Sequence, residues 1–134
     1  MKINTRYLGN KKFEISARGH RAICDQPANG GQDAGMTPPE FLLASLGACA
    51  AYYAAEYLNT RGLPATDLTV EVTAEKVRQP ARIGSFQIQV SVPGLEQRHQ
   101  EGVLRAVKSC LIHNTLLNAP RIELAVNCEV PAMA

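Results

Sequence analysis

Two cysteines, Cys49 and Cys110, are the side chains of this sequence with the most evident chemistry. Cys49 lies in the apolar run of residues 41–51, and Cys110 follows 61 residues later within residues 106–115. Neither belongs to a Cys-x-x-Cys motif, and each is predicted on an apolar face of a separate helix. Two such thiols can meet only in the folded chain. There, one can attack an oxidant and the other can then close a disulfide with it.

Each cysteine also has a structural interpretation, as a small apolar residue of the core. Burial in apolar surroundings raises the pKa of a thiol, so Cys49 needs a cation or a hydrogen-bond donor from elsewhere in the fold to act as a nucleophile. Cys110 has a local alternative. If the chain breaks there and starts a new short helix, its sulfur lies at a helix N-terminus, where the amide dipoles favour a thiolate.

Glu40 and Arg18 are the candidate partners of the Cys49 thiol. A capping box with Thr37 fully explains Glu40. Glu40 also lies nine residues before Cys49, on about the opposite side of an ideal helix, and would reach it only through a helix irregularity, a second subunit or a long reach. Arg18 is either a solvated turn residue or the cation that holds Cys49 as a thiolate, and Arg21 is a close competitor for that role.

The other cysteines are interpreted as structural. Cys24 and Cys128 are expected in the core, Cys128 because its strand parity faces inward. Cys110-x-x-His113 would supply half of a metal site, but no second clustered pair lies nearby. We therefore expect no metal.

The elements that must position these side chains follow from hydrophobic periodicity. Alternating residues predict six strands, over residues 3–8, 13–17, 20–25, 68–75, 86–92 and 122–128. A first helix, capped by Thr37, is predicted to end near residue 61 before Gly62, and a second to span residues 96–110. The first four turns of the first helix are apolar on every side, which predicts burial all round by its own fold or by a second subunit. The order of elements indicates an α+β fold.

Composition limits the class of protein. The 134 residues are enough for a single domain, 1–134, and a net charge of +2 with both signs interspersed argues against nucleic acid as a partner. The longest uncharged apolar stretch, residues 41–55, is shorter than the roughly 20 residues that span a bilayer. The first residues lack the apolar segment of a signal peptide, so we expect a soluble cytoplasmic protein with free, catalytic or metal-bound thiols.

The chain resembles the OsmC/Ohr family of osmotically inducible and organic hydroperoxide resistance proteins. The similarity lies in Thr37-Pro-Pro-Glu-Phe-Leu-Leu-Ala-Ser-Leu-Gly-Ala-Cys49, in Ala-Val-Lys-Ser-Cys110-Leu-Ile-His-Asn-Thr and in Gly62-Leu-Pro with the strand pair after it. Arg18-Gly-His and Asp25-Gln-Pro, with the Gly-rich loop that follows, are most like the OsmC-like branch. The resemblance implies an intertwined homodimer, with antiparallel sheets wrapped around long central helices and sites at the subunit interface.

The resemblance also implies a mechanism. Cys49 would be the peroxidatic cysteine that becomes a sulfenic acid, and Cys110 would resolve it as an intramolecular disulfide. An Arg and a Glu would activate the thiolate, and a dithiol, such as a dihydrolipoyl protein, would be the reductant, with no cofactor or metal. In the peroxidase branch the Glu stands ten residues before the first cysteine. Here that position is Pro39, and Glu40 follows it.

The interpretation that follows is a thiol peroxidase for organic hydroperoxides. Organic peroxides are favoured over hydrogen peroxide because four apolar side chains could line the access path: Phe41, Leu42, Leu46 and Leu111. The alternative is a non-catalytic or slow redox-sensing or binding protein on the same fold.

Overall fold

The N-terminal part of the chain is a three-stranded antiparallel sheet. The structure is a computed structural model that describes residues 1–129. Strands β1 (Asn4–Gly9), β2 (Lys12–Ala17) and β3 (His20–Cys24) lie in sequence order. A two-residue turn joins β2 to β3, and Arg18 (φ 50°) and Gly19 (φ 86°) both have the positive φ angles that such a turn requires. The three predicted strands and the turn at Gly19 are confirmed.

The long helix α1 (Pro38–Thr60) begins and ends where the sequence predicts. Thr37 Oγ1 accepts the Glu40 N–H at 3.4 Å, and the Glu40 carboxylate accepts the Thr37 N–H at 3.0 Å. These two bonds form the predicted capping box. Beyond Arg61, Gly62 turns the chain out of the helix with a φ of 66°.

A two-stranded antiparallel sheet and a second helix pack on α1. The sheet consists of β4 (Thr69–Val77) and β5 (Arg82–Ser91), and the helix is α2 (Gln100–Lys108). The centre of the core is a cluster of fully or almost fully buried side chains: Ala50, Ala54, Leu58, Val103 and Val107. Both predicted strands are confirmed, and the fold is α+β, as expected.

The second predicted helix is divided. Residues 97–99 form a single 3₁₀ turn, α2 ends at Lys108, and a separate helix, α3 (Leu111–Leu117), follows. A continuous helix over residues 96–110 is therefore wrong. The break lies at Cys110, whose backbone leaves the helical region (ψ 128°) so that its sulfur can accept the His113 N–H. This break is the condition under which Cys110 was expected at a helix N-terminus.

The last predicted strand is not formed within the described part of the chain. Residues 121–129 have no regular secondary structure, and Ile122, Leu124 and Val126 are 79%, 94% and 87% exposed. Cys128 is exposed as well, so its predicted place in the core is wrong, whereas Cys24 is buried as expected. The alternation is that of a strand with one apolar face. A strand also needs a neighbouring strand to pair with, and these residues pair with no strand within residues 1–129.

The predicted all-round burial of α1 is also wrong within one chain. Only the stripe Leu46, Ala50, Ala54 and Leu58 is buried, and Tyr52 on another face is 58% exposed. By length and mean hydropathy (1.3), α1 would even pass as a membrane span, yet only 22% of its most apolar window is buried inside the chain. The core helices of soluble proteins share that composition, and residues 1–129 leave most of the apolar surface of α1 uncovered.

Candidate active site

The fold brings Cys49 and Cys110 together. Helix α3 packs on α1, and Cys110 lies beside Cys49 where the two helices meet, near enough for each thiol to shift the pKa of the other. Cys110 is completely buried, Cys49 is partly buried, and both are free thiols. Two cysteines far apart in sequence thus form one site.

The surroundings of Cys49 favour its thiolate. Burial raises the pKa of Cys49, but hydrogen bonds from the Cys110 thiol and from the backbone N–H groups of Ile112 and Leu111 outweigh that effect. The net result is a pKa below the ordinary value of a cysteine. The two amides belong to the first turn of α3, where backbone N–H groups have no partner within the helix and carry its positive dipole end.

The surroundings of Cys110 favour its protonated form. Burial raises the pKa of Cys110, and so do its hydrogen bond to Cys49 and the repulsion from the Cys49 charge. The N–H groups of His113 and Ile112 act in the opposite direction without reversing the result. His113 N lies 3.4 Å from the Cys110 sulfur, which caps α3. Of the two thiols, Cys49 therefore loses its proton first and Cys110 keeps its proton.

Glu40 does not reach Cys49 within one chain. Its carboxylate accepts the Thr37 N–H and, at 2.9 Å, the Thr37 hydroxyl, and these bonds hold the pKa of Glu40 below its ordinary value. The side chain lines a shallow groove between α1 and β4, together with Gly47 and Val72. Nine residues of helix also separate it from Cys49, about 13 Å along the axis.

Arg18 is likewise placed away from Cys49. It is exposed in the β2–β3 turn, beside residues 1–4 at the N-terminus. Arg21, its competitor, forms an ion pair with Glu14 (3.6 Å) on the surface of the sheet. Among the described residues, therefore, backbone amides and a thiol lower the pKa of Cys49, and no cation contributes.

A buried carboxylate, Asp25, was not recognised from the sequence. It is fully buried at the end of β3 and accepts the N–H groups of Gln26 (2.7 Å), Gln32 (3.1 Å) and Ala34 (2.9 Å). These bonds, above all the one from Ala34, outweigh burial and lower the pKa of Asp25. A Cβ atom at Gly31 would collide with the same carboxylate. Asp25 therefore fixes the loop that leads to the start of α1.

The signal for Asp25 was an acidic residue at a strand end before a Gly-rich loop, a place where a carboxylate can bind loop amides.

No group of three metal-binding side chains forms within residues 1–129, so the described part of the chain offers no metal site. Of the residues predicted to line the access path, Leu46 is buried, Leu111 is exposed and Leu42 lines an apolar cleft.

A family model described as OsmC-like protein matches residues 30–125. No curated protein matches the chain. A protein of Psychrobacter arcticus described as an osmotic stress induced and detoxification response protein superposes with a TM-score of 0.78 and 18% identity, over 86% of this chain and 87% of that one. An OsmC-like protein of Mycoplasma pneumoniae superposes with a TM-score of 0.75 and 19% identity, over 88% of this chain and 87% of that one.

A third structure, the organic hydroperoxide resistance protein OhrB of Bacillus subtilis, superposes with a TM-score of 0.66 and 16% identity. The match covers 88% of this chain and 90% of that one. At these identities, the three likenesses establish a shared fold.

Proposed function

The chain belongs to the OsmC-like protein family, and on this premise we propose that it is a thiol-dependent peroxidase for organic hydroperoxides, with Cys49 as nucleophile and Cys110 as resolving cysteine. One observation carries the proposal: the Cys110 thiol and two amides of α3 all donate to the Cys49 sulfur. A thiolate, not a thiol, is the nucleophile toward a peroxide bond. The family's association with peroxide resistance, as in the name of the Bacillus subtilis protein, supports the substrate class.

The reaction balances in three steps. The Cys49 thiolate attacks the terminal oxygen of R–O–O–H; the O–O bond breaks, Cys49 becomes a sulfenic acid, and the alkoxide takes up a proton to leave as R–OH. The Cys110 sulfur then attacks the Cys49 sulfur, forms the disulfide and releases water. A dithiol, such as a dihydrolipoyl protein, reduces the disulfide to two thiols and becomes a disulfide itself.

The unequal surroundings of the two thiols support this division of roles. Cys49 has the lowered pKa and is the less buried of the pair, so a peroxide would reach the more easily ionised thiol first. Cys110 is fully buried and keeps its proton, so it is protected until a sulfenic acid forms beside it. The two thiols are neighbours at the contact between α1 and α3, which supports a disulfide between them.

We further propose that the protein acts as a homodimer with sites at the subunit interface. Three apolar surfaces have no covering partner among residues 1–129: the outer side of α1, the residues 122–126 and β1 with its exposed Tyr7. A second copy is the partner that would cover all three at once. In that assembly Arg18 or Glu40 reaches a Cys49 only if it comes from the other subunit.

Disulfide mapping after one equivalent of cumene hydroperoxide, with hydrogen peroxide in parallel, tests the proposal. We expect a Cys49–Cys110 disulfide that forms faster with the organic peroxide. Cys49→Ser should abolish turnover, and Cys110→Ser should stop at the sulfenic acid. Cys128→Ser is the matched control, since it removes an exposed thiol outside the site.

The second candidate is a slow redox sensor on the same fold. The absence of a carboxylate or cation beside Cys49 among residues 1–129 favours it. Oxidation of Cys49 without reduction by any dithiol, or equally slow oxidation by both peroxides, would replace the peroxidase with this sensor.

A further inference from the structure

The N-terminal sheet, β1 to β3, is set apart from the rest of the chain. The core cluster and the apolar side chains packed on it all lie between residues 50 and 107, and none of them belongs to this sheet. Among the described residues, its strands have no more than marginal contact with the helices or with β4 and β5. The loop of residues 25–36 therefore fixes the direction in which the sheet leaves α1.

This loop is closed where it meets the sheet. The Asp25 N–H donates to the Met36 carbonyl oxygen at 3.1 Å, and Cys24 forms a parallel bridge with Met36. The loop thus starts and finishes at one place, as a compact Ω-loop does. A Cβ atom at Gly35 would collide with the Ile23 carbonyl group, so the end of the loop also lies directly against β3.

The Asp25 carboxylate holds the inside of the loop. Its Oδ1 accepts the Gln26 N–H, and its Oδ2 accepts the N–H groups of Gln32 and Ala34. The carboxylate is fully buried, and the positive charge of Lys12 on β2 acts on it from the sheet. Without the negative charge, these loop amides keep at best a weaker acceptor, because hydrogen bonds to a charged group are the stronger ones.

The Arg18 turn lies at the far end of β3 from Asp25. The strand between them has 5 residues, which span about 17 Å at about 3.4 Å per residue. At that distance, a change of about 30° in the direction of the sheet would move the turn by about 9 Å. A misplacement of about 1 Å can cost a reaction about a hundredfold in rate. The loop therefore has to hold the sheet in one direction if Arg18 is to act at a thiol.

We propose that Asp25 is a positioning residue for the assembled protein: by closing the loop, it directs the N-terminal sheet away from its own α1 and presents the Arg18 turn to a second copy of the chain. The proposal rests on the homodimeric peroxidase proposed above, and it adds the residue that directs assembly. The groups that lower the pKa of Cys49 belong to Cys110 and α3, not to this loop. Loss of the Asp25 charge should therefore weaken assembly and leave formation of the thiolate unchanged.

Sedimentation over a concentration series tests the proposal, with Asp25→Asn and Asp33→Asn compared in the full chain. Asp33 is the matched control, because it is an exposed acid in the same loop and its φ of 54° also suits asparagine. The loss of one hydrogen bond to a charged group corresponds to about a factor of ten in an equilibrium constant. We therefore expect the dissociation constant of the dimer to rise about tenfold in Asp25→Asn and to stay unchanged in Asp33→Asn.

Two further measurements separate positioning from a general loss of structure. Hydrogen exchange should be faster at the amides of Gln32 and Ala34 in Asp25→Asn, whereas iodoacetamide should alkylate Cys49 at the wild-type rate. Peroxide turnover should fall at low protein concentration and recover at high concentration, because assembly follows mass action. Gly31→Ala should give the same results, since its Cβ atom would displace the carboxylate without removing the charge.

Equal dissociation constants for Asp25→Asn and Asp33→Asn would overturn the proposal and leave the peroxidase standing. A fall in Cys49 alkylation and in turnover at every concentration would also overturn it, because Asp25 would then support the fold alone. A wild-type chain that stays monomeric would remove both this proposal and the homodimer. Weaker assembly of Asp25→Asn in a protein that reduces no peroxide would refute the peroxidase and confirm that Asp25 directs assembly.

Discussion

The hydrogen bond from the Cys110 thiol should set how much Cys49 thiolate is present at neutral pH. Replacing Cys110 with Ala removes this donor while leaving the two α3 amides in place. A hydrogen bond to a charged group is worth about 1.5–3 kcal/mol, and the low end applies because S–H is a weak donor and Cys49 is partly exposed. A free-energy difference of about 1.4 kcal/mol changes an ionisation constant about tenfold. At pH values below the pKa of Cys49, we therefore expect Cys110→Ala to reduce the fraction of Cys49 present as thiolate about tenfold.

The assay is the rate of Cys49 carbamidomethylation by iodoacetamide between pH 5 and 9, quantified by mass spectrometry. Cys110→Ser is the matched comparison, because its hydroxyl is a better donor and a good helix cap. The pKa of Cys49 is lowered in the folded protein, so the reactive fraction falls as pH decreases through that pKa. The pH profile of Cys49 alkylation in Cys110→Ala should be shifted to higher pH than the wild-type profile. The profile of Cys110→Ser should show no such shift.

Coincident Ala and Ser profiles would refute this reasoning, because the Cys110 donor would then have no influence on Cys49. The α3 helix must survive for the comparison to hold, since Cys110 also caps it through the His113 N–H. Circular dichroism of both variants gives that check. The assays use the Cys128→Ser background, which removes the exposed thiol.

Three further predictions concern other parts of the molecule. Leu111→Pro should reduce Cys49 reactivity in the same assay without unfolding α3, because proline suits the first helical position but removes an amide that bonds to Cys49; unchanged reactivity would contradict it. Asp25→Asn should lower the melting temperature at neutral pH. Because folding lowers the pKa of Asp25, the difference in melting temperature between the wild type and the variant should disappear as pH falls through that pKa. A difference that persists in acid would exclude the charge of Asp25 as its cause. Leu124→Asp should shift a dimer to monomer in sedimentation, whereas Glu123→Gln should not; equal sedimentation of both variants would show that residues 122–126 are not in the interface.

The sequence predicted features whose causes are local. The start of α1 at Thr37 and its end before Gly62 were correct, because capping boxes and left-handed glycines act over three or four residues. The break at Cys110 could only be stated as a condition, since ending α2 and starting α3 depends on a sulfur that also contacts α1. Asp25 was missed because its donors are loop amides, and the position of an acidic residue before a Gly-rich loop does not show which amides it will bind.

The strand over residues 122–128 illustrates a different limit. Alternation reports that a segment has an apolar side and a polar side, and Ile122, Leu124 and Val126 do alternate. It does not report which chain supplies the neighbouring strand. The apolar surface of α1 is incomplete in the same way, so the sequence described an environment that one chain alone does not provide.

The site also separates two ways of activating a thiol. Backbone amides cannot be titrated, and α3 holds them on Cys49 at every pH at which the helix is folded. An Arg and Glu pair from a second subunit would instead tie activation to assembly. Because the amides and the Cys110 thiol already lower the pKa of Cys49 within one chain, reactivity toward a small alkylating agent should survive dilution to monomer. Peroxide turnover that depends on Arg18 should not. Comparing the rate of Cys49 alkylation with the rate of peroxide turnover across a dilution series therefore separates formation of the thiolate from its reaction with peroxide. If dilution lowers both rates in parallel, the single chain does not activate Cys49.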